Sequence, residues 1–313
     1  MPARPFQLDL AAYGPTAPAQ VAPSRAAAEE YCRQFALSHY ENFTVASWFL
    51  PKALRQHFCH IYAYCRWADD LADEVATPEQ SLELLAWWEE ELNACYAGQA
   101  RHPVFVALAM TIAEFNIPIE PFRNLLIAFR QDQSQTTYAT YEELLRYCDH
   151  SANPVGELVL YLGRCHNGLT VPLSNAICTG LQLANHWQDV ARDHACGRVY
   201  LPTTDQRQFN IGDAQLNERP ASLDFCRLLK LEVDRAEALL TSGWPLVTLV
   251  SREVKLPVEL FVRGGLATLQ AIRDQNYDVL TQRPTLSKWR KLKLLGQAWW
   301  SQRFGRRRPE SSA

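Results

Sequence analysis

Hydrophobic residues recur every three or four positions along most of this chain, as they do on the buried faces of helices. No stretch keeps the two-residue alternation that is typical of a half-buried strand. The pattern therefore predicts an all-α fold. The predicted helices cover residues 79–97, 104–115, 120–137, 141–148, 223–244 and 258–272, and the polar residues 203–221 are predicted to form an irregular connection.

The first 24 residues are rich in Ala and Pro and contain no continuous apolar run. They match neither a signal peptide nor a membrane span, so we expect a flexible tail on a cytoplasmic protein. Ser24 has the side chain of a helix N-cap, which predicts that the folded region begins at residue 25. A single helical domain is expected over residues 25–287.

A row of charged residues interrupts the otherwise apolar stretch Ile61–Glu74. At about 100° per residue, four polar side chains fall in one narrow sector of a helix. They are Tyr62, Arg66, Asp69 and Asp73. Because the flanking positions are apolar, this stripe is predicted to point inward, where its carboxylates need a compensating charge.

The stretch Thr179–Asp193 has the same design. Four polar side chains share one face of the predicted helix, and leucine, alanine, tryptophan and valine cover the rest. They are Gln182, Asn185, Asp189 and Asp193. Arg198 and Tyr200 follow just beyond this helix, where we expect them to reach the same ligand.

Each stretch thus offers two carboxylates about one helical turn apart. Mg²⁺ prefers oxygen ligands and is usually held by one or two carboxylates together with substrate phosphates. A single Asp-x-x-x-Asp pair is more often part of a solvated helix face. Two pairs on otherwise apolar helices favour a Mg²⁺ cage that stabilises a leaving diphosphate inside a helical cavity.

A break is predicted at Asp149–Gly156, where Pro154 removes a backbone donor and Gly156 permits close approach of a neighbour. Such a break can direct Tyr147 and Asn153 toward a ligand. A plain kink between two core helices is the alternative.

The composition limits the range of functions. With 313 residues and 48% hydrophobic content, the chain can build a sizeable core in one large or two small domains. The net charge of −3 argues against nucleic acid as the main partner. Nine cysteines without a C-x-x-C pair indicate reduced thiols rather than a disulfide framework.

The last segment, residues 288–313, has a different charge from the rest of the chain. It carries eight Lys or Arg residues against Glu310 alone, and tryptophan and leucine residues lie between them. This pattern predicts an amphipathic helix at an anionic membrane surface. The alternative is a terminal helix packed on the domain, followed by a solvated basic tail.

The two acidic blocks, Tyr62–Asp73 and Gln182–Asp193, together with Gly197-Arg-Val-Tyr-Leu-Pro202, resemble the signature motifs of the squalene and phytoene synthases. The similarity runs from about residue 31 to about residue 293. The resemblance implies an isoprenoid synthase fold in which both aspartate motifs face a central hydrophobic cavity and bind Mg²⁺ with a prenyl diphosphate.

The resemblance also implies roles for individual residues. The expected Mg²⁺ ligands are Asp69, Asp73, Asp189 and Asp193. The expected contacts to diphosphate or to metal-bound water are Arg66, Gln182, Asn185 and Arg198. Tyr147 matches a tyrosine beside the reacting carbocation, and Tyr62 matches another cavity position, where aromatic faces stabilise a cation.

Two departures from the general family pattern indicate which branch of the family this chain resembles. Many relatives have His-Ser-x-Ser where this chain has His39-Tyr-Glu-Asn42, and many have Arg where it has Gln188. These variants resemble the bacterial HpnC branch, the hydroxysqualene synthases of hopanoid pathways. That branch takes presqualene diphosphate from a sister enzyme, and Asn42 would lie at the altered phosphate rim.

The leading hypothesis is therefore Mg²⁺-dependent ionisation of presqualene diphosphate with capture of water. The chain has no Gly-x-Gly-x-x-Gly fingerprint for a nicotinamide cofactor, which is consistent with water as the nucleophile. One alternative is a head-to-head synthase that condenses two prenyl diphosphates to squalene, presqualene diphosphate or phytoene. The other is a catalytically silent relative that acts as an assembly protein.

Overall fold

The computed structural model describes residues 6–18, 21–38, 50–287, 296 and 298. Regular structure in this part of the chain is helical, and one isolated β-bridge joins Thr137 to Val199. The all-α prediction is confirmed. The helices are α1 (Phe6–Tyr13), α2 (Arg25–Ser38), α3 (Lys52–Asp73), α4 (Pro78–Tyr96), α5 (Pro103–Phe115), α6 (Glu120–Gln131), α7 (Tyr141–Ser151), α8 (Asn153–Leu162), α9 (Thr170–Ala195), α10 (Thr203–Gln208), α11 (Asp213–Leu216), α12 (Leu223–Gly243), α13 (Leu246–Leu249) and α14 (Arg252–Asp274).

The N-terminal tail contains a helix that its Ala- and Pro-rich composition did not predict. The side chain of Phe6 in α1 is buried, and its ring centroid lies 5.0 Å from that of Trp67 in an edge-on contact. Tyr13 at the other end of α1 packs against Tyr31 with ring centroids 5.2 Å apart, and two aromatic contacts in an eight-residue helix leave too little periodic pattern to predict it. The predicted cap at Ser24 is present, since its hydroxyl accepts a hydrogen bond from the Ala27 amide at 3.3 Å.

Three other boundaries differ from the predictions. Helix α6 ends at Gln131 rather than at residue 137, and the connection over 203–221 contains the short helices α10 and α11. Helix α14 begins at Arg252 and continues through Pro257. A proline near a helix start removes only the bond to the carbonyl four residues earlier, so the helix can continue beyond it.

The chain divides into two compact units. The first comprises Met1–Ser134 and Leu158–Arg164, and α3 packs in it against α2, α4, α5 and α6. The ring of Trp67 stacks on that of Trp88 with centroids 5.2 Å apart. The Tyr64 hydroxyl donates a hydrogen bond to the Phe122 carbonyl at 2.9 Å. Large aromatic side chains therefore fix the position of α3, which carries the first acidic motif.

The second unit comprises Gln135–Glu157 and Cys165–Ala313. Helix α9 is central to it and packs against α7, α12, α13 and α14. The packing against α12 depends on Gly180, because a Cβ there would lie 2.8 Å from Cγ of Leu240. In the described part of the chain, no helix is both long enough and apolar enough to cross a bilayer.

Candidate functional site

The first acidic motif lies on the last two turns of α3, as predicted. Arg66 binds its neighbours on the same helix: its Nη1 donates to Oδ2 of Asp69 at 2.6 Å, and its Nη2 lies 3.4 Å from Oε1 of Glu74. The same Nη2 forms an ion pair with Asp70. Asp73 is exposed at the end of the helix. One guanidinium is therefore shared among the carboxylates of Asp69, Asp70 and Glu74.

Asp70 is a member of this cluster that sequence reasoning missed. Its side chain is fully buried, and burial raises the pKa of its carboxyl to about 7 although Arg66 opposes the shift. The sequence contained a signal, because Asp70 lies three residues after Trp67 and so shares the apolar face of α3. We infer that the buried carboxylate of Asp70 holds the Arg66 guanidinium from the interior of the protein, while Asp69 contacts it near the surface.

The second acidic motif lies on α9 and is covered by the segment after α14. Arg283 pairs with Asp189: its Nη2 donates to Oδ2 at 2.9 Å, and its Nε donates to the other carboxylate oxygen. Gln188 holds this segment in place. Its amide donates to the Pro284 carbonyl at 2.5 Å, and its oxygen accepts from Arg283 at 3.2 Å.

Arg283 was not among the predicted site residues. Arg283 lies after α14 in an irregular segment. It is 94 positions away from Asp189, and no local sequence pattern connects the two residues. Only the folded chain brings its guanidinium to the motif.

Asp193 lies one turn beyond Asp189. Burial and the neighbouring Asp189 carboxylate raise its pKa to about 6, whereas Arg192, Arg198 and Arg283 act in the opposite direction. The two carboxylates therefore repel each other, which is the arrangement that a bound cation relieves.

Arg198 and Tyr200 are placed beside Asp193, as predicted. Gly197, with φ of 78°, turns the chain out of α9, and the Arg198 amide donates to the Asp193 carbonyl at 2.9 Å. The Val199 amide then donates to the Thr136 carbonyl at 2.8 Å. This turn holds the Tyr200 ring in the aromatic cluster of the second unit.

That cluster contains Tyr147, Tyr200 and His186. The ring of Tyr147 is buried, and its centroid lies 6.1 Å from that of Tyr200. The imidazole of His186 stacks on Tyr200 with centroids 3.6 Å apart and an angle of 17° between the planes. His186 was not among the predicted residues, although at about 100° per residue it falls in the same helical sector as Gln182 and Asp193.

The remaining predicted residues have different environments. Gln182 and Tyr62 are half-buried and Asn185 is exposed. Asn153 is buried: its amide donates to Asp149 at 2.9 Å, and its oxygen accepts from the Thr179 hydroxyl at 3.0 Å. These bonds tie α8 to α7 and α9, so its contact with substrate stays a prediction. Asn42 lies outside the described residues.

The carboxylates fit Mg²⁺ in chemical type. Hard oxygen donors in pairs are the usual protein share of a site that phosphate oxygens complete. Asp69 with Asp73, and Asp189 with Asp193, provide such pairs. In the described residues, no group of three or more His, Cys, Asp or Glu side chains is placed to hold a metal ion. The two motifs belong to different units, so their expected arrangement around one cavity stays a prediction.

The all-helical fold and two acidic motifs define an isoprenoid synthase, a class of enzymes that act on prenyl diphosphates. The model of the family "Squalene/phytoene synthase" matches residues 36–290, and the chain belongs to this family of head-to-head prenyl synthases. Both the predicted membership of this family and the predicted fold class are confirmed.

Individual relatives support the assignment. The crystal structure of squalene synthase HpnC from Alicyclobacillus acidocaldarius is 45% identical, with a TM-score of 0.78 over 81% of this chain and 96% of that one. A hydroxysqualene synthase from Rhodopseudomonas palustris is 34% identical over 79% of this chain and 82% of its own length. A phytoene synthase from Arthrospira platensis is 31% identical over 87% of this chain and 92% of its own.

Proposed function

We propose that this enzyme converts presqualene diphosphate and water into hydroxysqualene and diphosphate in a Mg²⁺-dependent reaction. The bond between carbon and the diphosphate oxygen breaks, the cyclopropylcarbinyl cation rearranges, and water adds to the resulting cation. The proton lost from that water accompanies the released diphosphate. No oxidant or reductant is required.

The observation that carries this proposal is the neutral residue Gln188 and the hydrogen bonds that its side chain makes. Many relatives place an arginine immediately before the second aspartate motif, where it adds a cation for phosphate. In this chain the Gln188 amide is neutral and bonds to Pro284 and Arg283 instead. This neutral residue matches the pattern of the hydroxysqualene synthases, which act on a substrate with one diphosphate, and it supports the same reaction for this chain.

The similarity to relatives named hydroxysqualene synthase and HpnC points to the same reaction. It covers most of both chains, so the comparison includes both acidic motifs.

The motif residues have distinct proposed roles. The aspartates at 69, 73, 189 and 193 would hold Mg²⁺, which, when bound, stabilises the negative charge on the leaving diphosphate. Arg66, Arg198 and the amides of Gln182 and Asn185 orient the diphosphate oxygens by hydrogen bonds. The buried ring of Tyr147 presents an aromatic face to the cation and keeps bulk water away from it.

The test is a product analysis with the full chain and Mg²⁺, without a nicotinamide cofactor. Presqualene diphosphate and farnesyl diphosphate are supplied separately, and the products are identified by mass spectrometry. We expect hydroxysqualene from presqualene diphosphate and no conversion of farnesyl diphosphate alone. An Asp189→Ala variant serves as the control for Mg²⁺-dependent turnover.

The condensing reaction is the second candidate, and the similarity to phytoene synthases favours it. Consumption of farnesyl diphosphate alone in the same assay would establish it in place of our proposal. Turnover of neither substrate, with no change in an Asp69→Ala variant, would point instead to a catalytically silent assembly protein.

Two further predictions concern partners. A presqualene diphosphate synthase must supply the proposed substrate, so the two enzymes would act in sequence. The basic segment 288–313 is proposed to bind anionic membrane lipids from the cytoplasmic side. Most of that segment lies outside the described residues, and its membrane role stays a prediction.

A further inference from the structure

One buried polar atom in the second unit has no assigned role in the candidate site. Nε2 of His186 is shielded from solvent and has no hydrogen-bond partner among the described residues. The His186 residue is only 7% exposed. A buried ring nitrogen without a partner costs free energy, so a group that completes its hydrogen bond is expected there.

The imidazole is held in one orientation. Its plane stacks on Tyr200, and its Nδ1 lies 4.0 Å from Oδ2 of Asp193. With Nδ1 facing a carboxylate, the proton is best placed on Nδ1, which leaves Nε2 as a hydrogen-bond acceptor. The ring therefore presents a fixed acceptor rather than a mobile one.

The surroundings suit a single water molecule. His186, Asp193, Arg198 and Tyr200 line a small pocket that has room for about one water-sized sphere. The ring of Tyr147, which the proposed function places beside the cation, lies with its centroid 6.4 Å from that of His186. A water in this pocket would lie beside the rings of His186 and Tyr200 and near the polar side chains of Asp193 and Arg198.

We propose that His186 is the positioning residue for the water that captures the carbocation, an assignment that rests on the proposed function. Nε2 accepts one O–H of the water, and this leaves a lone pair of the oxygen directed away from the ring. The residue thereby determines whether the cation ends as an alcohol or loses a proton to form a hydrocarbon.

The capture step balances without further reagents. The oxygen lone pair forms the new C–O bond, and the resulting oxonium gives one proton to the diphosphate that has already left. Without an oriented water, the same cation loses a proton from a neighbouring carbon to the same diphosphate and forms a diene. Both outcomes release one diphosphate. The ratio of alcohol to hydrocarbon therefore depends on how the water is positioned and not on the rate of ionisation.

The experiment measures the ratio of hydroxysqualene to hydrocarbon products from presqualene diphosphate and, separately, the rate of diphosphate release. In His186→Phe the ring stacking is kept and the acceptor is lost. We expect the alcohol fraction relative to hydrocarbon to fall about tenfold, the order that one hydrogen bond contributes to a partition. Diphosphate release should change far less.

His186→Gln restores an acceptor and should recover a large part of the alcohol. His166→Phe is the matched control, since His166 lies near Glu157 in the same unit, outside the aromatic cluster, and its loss should leave the ratio unchanged. If His186→Phe does not fold, as judged by circular dichroism, His186→Leu, which also removes the acceptor, is measured in its place and should show the same fall in the ratio.

The possible failures are distinguishable. A wild-type protein that makes no hydroxysqualene overturns the proposed function and this assignment with it. A wild-type protein that makes hydroxysqualene, together with an unchanged ratio in His186→Phe or, where that variant does not fold, in His186→Leu, overturns the assignment alone. An equal loss of both products in these variants would indicate a structural role and would also overturn it.

Discussion

Two arginines hold carboxylates of the acidic motifs, each from a different position. Arg66 lies on the same helix as Asp69 and Asp70, whereas Arg283 reaches Asp189 from a distant segment. A carboxylate that is paired with a guanidinium must exchange that partner to bind a metal ion. If these carboxylates bind Mg²⁺ as we propose, the affinity includes the free energy of releasing the arginine.

Replacing Arg283 by Gln is expected to strengthen binding of Mg²⁺ in the absence of substrate. The side chain of Arg283 is half-exposed, and such ion pairs contribute about 0.2–1 kcal/mol, so the dissociation constant should fall by a factor of about 1.4 to 5. Isothermal titration calorimetry measures it directly. Arg227→Gln, which removes an exposed arginine paired with Asp224, is the control. Weaker or unchanged Mg²⁺ binding in Arg283→Gln would contradict the expectation.

Among single residues, those in regular helices were predictable and those held by distant contacts were not. Helical spacing sufficed to place Asp69 with Arg66 and to put Asp189 and Asp193 on one face. Asp70 was missed because a carboxylate on the apolar face breaks the usual rule for buried residues. Arg283 was missed because its pairing depends on the tertiary path of the chain.

At the scale of elements, α9 carries the second motif and its packing against α12 fixes the position of that motif. Gly180→Ala should destabilise the protein by about 1–3 kcal/mol, because the new methyl group would overlap Leu240 in a well-packed contact. Thermal unfolding followed by circular dichroism measures the change. Gly168→Ala is the matched control, since no atom lies within 4 Å of a Cβ there. Equal melting temperatures for the two variants would show that the contact is less tight than described.

A buried ionic cluster links α10 to α12 in the same unit. Arg235 donates to Asp205 at 2.6 Å and to Glu232 at 3.0 Å. Burial is the main cause that raises the pKa of Glu232 to about 8, and Arg235 opposes the shift. The folded protein therefore binds a proton at Glu232 more tightly than the unfolded chain does.

This shift has a defined consequence for stability. The contribution of Glu232 is fully present below the unfolded pKa of 4.5 and is lost as the pH rises through about 8, at up to about 1.4 kcal/mol per pH unit. Glu232→Gln has no such loss, so its melting temperature relative to wild type should increase between about pH 5 and pH 8. Glu253→Gln, at an exposed position, is the control. A relative melting temperature that stays constant or falls over this range would be evidence against the shift.

Elements differed in how far the sequence revealed them. Long amphipathic helices such as α4, α5 and α12 were predicted within a residue or two, because many positions contribute to their periodicity. The short helices α1, α10 and α11 were not, since four to eight residues carry too little pattern. Helix α14 was predicted too short: it begins at Arg252, six residues before the predicted start, and continues through Pro257.

At the scale of the whole molecule, the two acidic motifs and the all-helical pattern were enough to indicate the family, and the comparisons confirm it. In our proposal, the distinction between condensation and water capture depends on smaller features: the neutral Gln188, the acceptor of His186 and the residues around Asn42. These features do not change the fold, because they alter charge and hydrogen bonding on a conserved scaffold of packed helices.

In the proposed reaction, solvent water captures a carbocation after the carbon–oxygen bond of presqualene diphosphate breaks. The most direct test is a reaction of the full chain with Mg²⁺ and presqualene diphosphate in water enriched in oxygen-18. Ionisation followed by water capture places the label in the alcohol of hydroxysqualene and leaves the released diphosphate unlabelled. Label in the diphosphate, with an unlabelled alcohol of unrearranged skeleton, would mean that water attacks phosphorus, and it would contradict the account.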